Sequence, residues 1–344
     1  KHGGRGLSDL VIQILAASML LATPLLLAAI GELVVEKSGV INLGVEGMML
    51  IGGLAGFIAL YQLQTSTCTM LIGDVCFTAE NSVNQFQYIG SLVVAALVGA
   101  MAAALFGFLT QYFRANHIAA GLGLTVLGAG LSNSLGGNFF GVDYTAAIVA
   151  SVPPLFPENW SEVPVLGPLL FSQNLLVPFS FLMLVAVWFF LNRTRAGLVV
   201  RAVGENHHSA YALGYPVILV RMMTIMFGGA MAGLAGAFIV IAQIAPKWTE
   251  GITVGKGWLA LALILFSTWR PGRVLLGAYL FGIVLALEPR LKAIFSNMSL
   301  EISYFLTALP YIVPVVVLVL ISRNPVMIRR NAPASLGQSF EPRS

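Results

Sequence analysis

The chain has 344 residues, 58% hydrophobic and only 9% charged, with a mean hydropathy of +0.89. Soluble domains carry about 25% charged residues, so the solvent for most of this surface is lipid. The net charge of +4 is spread thinly along the chain, which excludes the clustered basic face that nucleic acid binding requires.

A membrane span needs about 20 mostly apolar residues. Nine stretches meet or approach this: 10–30, 40–60, 88–113, 118–135, 175–191, 220–244, 258–269, 274–293 and 302–321. The seventh is short and reads as broken or tilted. The opening residues predict no cleaved secretion signal, because the apolar run behind them is too long for one. The expectation is an all-α polytopic bundle of about 9–10 spans, forming one transmembrane domain over 1–330. The Pro- and Ser-containing segment 331–344 predicts a disordered cytoplasmic tail.

Cytoplasmic loops collect Lys and Arg. Arg114, the run Arg193 to Arg221, the pair Arg270 and Arg273, and the group Arg323, Arg329 and Arg330 all fall on one side if the nine spans alternate. Parity then places 31–39 inside and the N-terminal end of the first span outside, although Lys1 and Arg5 argue the other way. The loop 136–174, with five prolines, falls outside as a shaped surface or a passive connector. Cys68 and Cys76 share an outer loop and read either as a disulfide or as two free thiols.

Polar groups and three glycines interrupt the apolar pattern in Ser38-Gly39-Val40-Ile41-Asn42-Leu43-Gly44-Val45-Glu46-Gly47. Asn42 and Glu46 are four apart and would share a helical face. Glu46 reads equally as a pathway group and as a cap or pairing partner, since a carboxylate in a span is costly and needs a reason. Asn133 and Gln243 are further polar positions within spans. Gly229 with Gly233, and Gly52 with Gly56, have the spacing of close helix crossings. Glu288-Pro289-Arg290 suggests a local ion pair, and Glu46 and Glu288 are the carboxylates noted within spans.

The longest inner loop holds Glu205-Asn206-His207-His208-Ser209-Ala210-Tyr211-Ala212-Leu213-Gly214. A stop at Gly214 and Pro216 and an acidic residue at the start predict a helix of about two and a half turns. Such a helix contacts another protein or lies on lipid headgroups. The stretch Gly251-Ile252-Thr253-Val254-Gly255-Lys256-Gly257 lacks the glycine spacing and the Ser or Thr of a phosphate loop, so it is not read as a nucleotide site.

In order along residues 20 to 290, four segments resemble permeases of ABC importers for simple sugars, nucleosides and related solutes. They are Ser38–Met49, the run Arg201-Ala202-Val203-Gly204-Glu205-Asn206 with Leu213-Gly214, Gly229 to Ala237, and Gly255-Lys256-Gly257-Trp258-Leu259-Ala260-Leu261-Ala262. The similarity is greatest to the nucleoside permeases. His207 stands where the family usually has Pro.

The resemblance implies a non-enzymatic permease subunit that binds no cofactor and passes a small polar solute, nucleoside first and sugar next, by alternating access. ATP and Mg would be handled by a separate cytoplasmic ABC ATPase docked on a coupling helix, here Glu205 to Gly214. A second permease, of different sequence, and a periplasmic or lipoprotein substrate-binding protein would complete the assembly in a bacterial inner membrane. The substrate pathway is expected along Asn42, Glu46, Asn133 and Gln243. The alternative is an ion-coupled secondary transporter.

Overall fold

The computed structural model describes residues 3–66, 70–72, 75–77, 83–137, 167–244, 248–294, 300–322 and 331–341, together with single positions between 142 and 163. It is a bundle of helices: α1 (Gly3–Lys37), α2 (Val45–Ser66), α3 (Gln85–Gln111), α4 (His117–Gly137), α5 (Leu176–Arg193), α6 (Arg195–Glu205), α7 (His207–Ala212), α8 (Val217–Phe238), α9 (Lys256–Ser267), α10 (Pro271–Ile294) and α11 (Leu300–Ser322). Two three-residue strands, Met70–Ile72 and Val75–Phe77, pair antiparallel in the loop after α2. Among the described residues, seven helices are long and apolar enough to cross a membrane: α1 to α5, α8 and α10. The chain is an all-α, multi-pass membrane protein.

α8 is the central helix and lies against α1, α2 and α3. Side chains alone cannot bring helices this close, because lipid gives no hydrophobic drive to pack them. Glycine supplies the approach. Gly52 of α2 faces Gly233, Gly53 faces Gly236, and Gly99 of α3 faces Gly229. A Cβ on Gly53 would lie 3.0 Å from the Gly236 carbonyl carbon. The spacings at Gly52 and at Gly229 with Gly233 therefore mark real crossings.

The two ends of the bundle are distinct. At one end Lys37 donates to the Asn331 carbonyl, Arg270 donates to the Asn331 side chain, Arg221 donates to the Gln338 carbonyl, and Arg114 pairs with Glu341 at 3.2 Å. At the other, Arg290 donates to the Gln13 carbonyl, and Gln87 to Leu63. Gln13 of α1 thus lies at the end of the bundle opposite Lys37 and the C-terminal segment.

Three expectations need correction. First, α1 does not stop at residue 30. It continues to Lys37 and carries Glu32 and Glu36, both buried, so carboxylates within spans are more numerous than Glu46 and Glu288. Second, the local ion pair expected around Glu288 does form, but its partner is Lys292 at 2.9 Å, one helical turn on. Third, residues 331–341 are an ordered strap. Ser335 donates its amide to the Gly204 carbonyl at 2.9 Å, Gly337 donates to Gly39 at 2.9 Å, and Phe340 is only 4% exposed. Composition missed this because three or four backbone bonds and one aromatic anchor suffice to seat a short segment. Cys68 and most of 138–166 lie outside the described residues, so the outer-loop expectations have no structural counterpart.

Candidate functional site

The chain does not enter α2 at the end of the bundle. After Lys37 it climbs back into the protein along residues 38–44. Gly39, at φ +91°, makes the bend, a conformation that L side chains rarely adopt. Asn42 then holds the climb from both sides. Its backbone N–H and its Nδ2 donate to the two oxygens of Glu32, at 3.2 and 3.1 Å, while its Oδ1 accepts from the Gly44 amide at 3.0 Å. Thr125 of α4 donates to the Leu43 carbonyl at 3.1 Å. The three Asn42 bonds are buried and satisfy polar groups inside the protein, which is the condition for irregular backbone within a membrane.

Glu46 opens α2 at that depth. Its Oε2 accepts the amides of Gly257, at 3.0 Å, and Trp258, at 3.3 Å. These are orphan donors of the first turn of α9. α9 has 12 residues, a rise of about 18 Å against a hydrocarbon thickness of about 30 Å. It is therefore a half-helix. Its last turn is closed by Thr268 and Trp269, both left-handed, with φ of 48° and 55°. Trp269 donates its indole N–H to Glu36 of α1. The cytoplasmic end of α9 is thus pinned beside the end of α1, and its start lies inside the bundle under a carboxylate. Lys256, at that start, reaches Gln243 at 3.5 Å and the Ile252 carbonyl at 3.4 Å. Gln243 belongs to a π turn, Ile239–Ile244, that extends α8; such turns recur at functional sites.

Glu46 and Gln243 thus flank the start of α9, the first through Gly257 and the second through Lys256, while Asn42 is engaged with Glu32 in the climbing segment. Asn133 does not join them. It lies on the exposed face of α4 between Gly130 and Gly137, beside which a Cβ would meet nothing. The opposite face of α4 is packed: Gly121 meets Leu43 and Gly44, and Gly128 meets Gly47.

The inner loop forms two helices, not one. α6 runs to Glu205, so this residue ends a helix rather than starting the next. Asn206 caps α7, its side chain accepting from the Ser209 amide at 2.9 Å. α7 has six residues, His207–Ala212, shorter than the two and a half turns expected. It stops at Gly214, at φ +88°. There Gly214 donates to Tyr211 and Tyr215 to Ala210, the paired bonds of a Schellman end. Tyr211, Leu213 and Tyr215 project into solvent.

Beneath α7 lies Arg221, fully buried. Its guanidinium donates to the carbonyls of Ser38, at 3.2 Å, and Gln338, at 3.0 Å, and Nη2 lies 3.2 Å from His207 Nδ1. Arginine has no acceptor, so His207 must be neutral, with its proton on Nε2. Burial, the Arg221 charge and the neighbouring His208 together push the His207 pKa from the ordinary 6.5 down to about 4. Phe340 of the strap packs edge-on or tilted among His207, His208 and Tyr211, with centroids at 5.4, 5.8 and 5.3 Å.

Sequence reasoning missed Glu32, Glu36, Arg221 and Lys256. A charge inside an apolar run was the available signal for each. Glu32 and Glu36 lie beyond the first apolar run, Arg221 lies at the border of a loop rich in arginine, and Lys256 lies in a glycine-rich segment, so the local pattern hides each charge.

Residues 14–322 match the family model described as branched-chain amino acid transport system / permease component. The chain belongs to this family. The permease is 36% identical over 285 residues, 82% of its length and 78% of the relative's, to a protein of Haloferax volcanii named for a glucose ABC transporter. It is 29% identical over 320 residues to a nucleoside ABC transporter permease of Lactococcus lactis, covering 90% of this chain and 92% of the relative. It is also 29% identical over 313 residues to a guanosine ABC transporter permease of Bacillus subtilis, covering 87% and 92%. No solved structure matches the chain. The permease is a transmembrane subunit of an ABC transporter, with relatives in nucleoside and sugar transport.

Proposed function

We propose that the permease imports a small uncharged solute that contains a sugar ring, a nucleoside first and a simple sugar second, powered by a separate ABC ATPase that binds ATP and Mg. The relatives named for nucleosides and guanosine cover the chain more fully, and the one named for glucose is more similar residue for residue. The sugar ring is what their named solutes have in common.

The observation that carries the coupling role is α7. A six-residue helix capped at both ends stands on the cytoplasmic face with Tyr211, Leu213 and Tyr215 exposed. Exposed aromatic and aliphatic groups on a rigid base suit a protein partner. Residues Glu205 to Gly214 are the proposed docking element. Beneath it, Arg221 bonds the Ser38 carbonyl at the foot of the climbing segment. Movement of α7 is thereby transmitted to the 38–44 segment and to the start of α9, and so to Asn42, Glu46 and Gln243. The exposed, glycine-lined face of α4, with Asn133, is the proposed contact with a second, non-identical permease. A substrate-binding protein delivers the solute at the outer end.

The test is co-purification with the genes' neighbouring products, followed by uptake into vesicles. Replacing Tyr211 and Leu213 with Ser is expected to release the ATPase and abolish ATP-driven uptake. Uptake of radiolabelled guanosine or glucose in vesicles without ATP would refute the proposal.

A further inference from the structure

A second polar site lies away from the start of α9, at the cytoplasmic end of the bundle. The end of α1, one face of α6 and the start of the C-terminal strap enclose a cavity of about 380 Å³ lined by Lys37, Leu198, Arg201, Glu205, Asn331 and Pro333. Asn331 holds two cations at its rim: Lys37 Nζ donates to its carbonyl at 2.8 Å, and Arg270 Nε donates to its side chain at 3.4 Å. Lys37 and Arg201 thus line a space whose lining holds one carboxylate, Glu205, and Arg270 reaches its rim only through Asn331. That carboxylate is already engaged by the Ala334 amide at 3.0 Å, and no ion pair joins it to any of the three cations among the described residues. Arg201 Nε is buried and has no hydrogen-bond partner there.

A buried guanidinium N–H without a partner is costly and is rare enough to require an explanation. Lys37, Arg201 and Arg270 set three positive charges against two carboxylates, Glu205 and Glu36, and an anion in the cavity would relieve the excess. Guanidinium and ammonium groups together are the usual binders of phosphate oxygens, the first as a fork and the second as a point charge. The cavity is of small-ligand size, much larger than one water.

We infer that this cavity binds a phosphate group, held by Lys37 and Arg201 with Arg270 behind. Two sources carry that chemistry at this depth, an anionic phospholipid headgroup and a soluble phosphate of the cytoplasm. The inference goes beyond the transport reading, and its readouts are independent of solute movement.

The experiment uses the full chain with its co-purifying subunits. Phosphatidylglycerol retained per permease is counted by mass spectrometry after exchange into a non-ionic detergent. Separately, inorganic phosphate is titrated in phosphatidylcholine nanodiscs while the unfolding midpoint is followed. Retained phosphatidylglycerol that falls about tenfold in Lys37→Gln and again in Arg201→Gln assigns the site to lipid. A midpoint raised by phosphate in the wild type, and unmoved in those variants, assigns it to soluble phosphate. Glu205→Gln removes the opposing charge and is expected to tighten whichever ligand binds. Binding equal in the wild type and both cation variants, or weakened by Glu205→Gln, overturns the inference.

Discussion

Glu46 offers the sharpest division between a structural and a solute-binding role. Glu46→Ala removes the acceptor shared by the Gly257 and Trp258 amides. An N-cap loss costs about 0.5–2 kcal/mol, and the buried Gly257 donor left unpaired costs about 1–3 kcal/mol. A combined loss of about 3 kcal/mol would raise the opening of the first turn of α9 by roughly 150-fold. Glu46→Gln keeps one carbonyl oxygen at the same reach and should cost less than half as much. Hydrogen exchange on residues 256–261 in detergent reads the opening directly. The expected order of exchange is Ala well above Gln, and Gln slightly above wild type. If Ala leaves exchange unchanged while uptake is lost, Glu46 serves the solute and the capping argument is wrong.

Further outcomes follow from the cytoplasmic end and the core. Phe340→Ala empties the cup formed by His207, His208 and Tyr211; a buried Phe truncation costs about 3–5 kcal/mol, so residues 331–341 should lose exchange protection while the spans keep theirs. The strap should also loosen on acidification. His207 has its pKa lowered to about 4, so its contribution is fully present above about pH 6.5, the ordinary value, and is lost as pH falls through this window towards 4. Protection of 331–341 measured between pH 7.5 and 4.5 should fall accordingly, and His207→Gln should flatten that profile. In the core, Gly236→Leu places a side chain against the Met49 backbone. It should separate α2 from α8 and abolish folded yield on size-exclusion chromatography, whereas Gly123→Leu on the open face of α4 should fold normally.

Much of the fold was legible because lipid imposes a simple rule: long apolar runs become helices and cations mark the inner side. The glycine crossings, the Gly214 stop and the gathering of Arg114, Arg201 and Arg270 at one end of the bundle all follow from local residue chemistry. What could not be read depends on partners far along the chain. Glu46 is 211 residues from Gly257, and nothing in its neighbourhood announces a half-helix awaiting a cap. Asn42 looked like a pathway group, yet its side chain makes a hydrogen bond in each direction to hold the climbing segment. The strap misled for the opposite reason. Its composition is that of a loose tail, and its order comes from Phe340 and from carbonyls that Arg221 and Lys37 happen to reach.

These long-range bonds share a pattern. Glu36 holds the inner end of α9 through Trp269, and Glu32 holds the climbing segment through Asn42. The two carboxylates are one turn apart on α1. A shift of α1 along its axis would therefore carry the inner end of α9 and the 38–44 segment together, while Glu46 ties the other end of α9 to α2. An ion-coupled carrier would need such carboxylates free to change protonation with the coupling ion. Here they are committed to helix ends and turns, which suits a transporter whose driving force arrives mechanically. Substituting Glu32 and Glu36 with Gln preserves hydrogen-bonding capacity while removing charge. ATP-driven uptake should survive both substitutions to within about tenfold, since the neutral amide retains an acceptor worth about 1 kcal/mol. Complete loss of uptake in the Gln variants, with folding and ATPase binding intact, would show that the charge itself is used and would restore ion coupling as the mechanism.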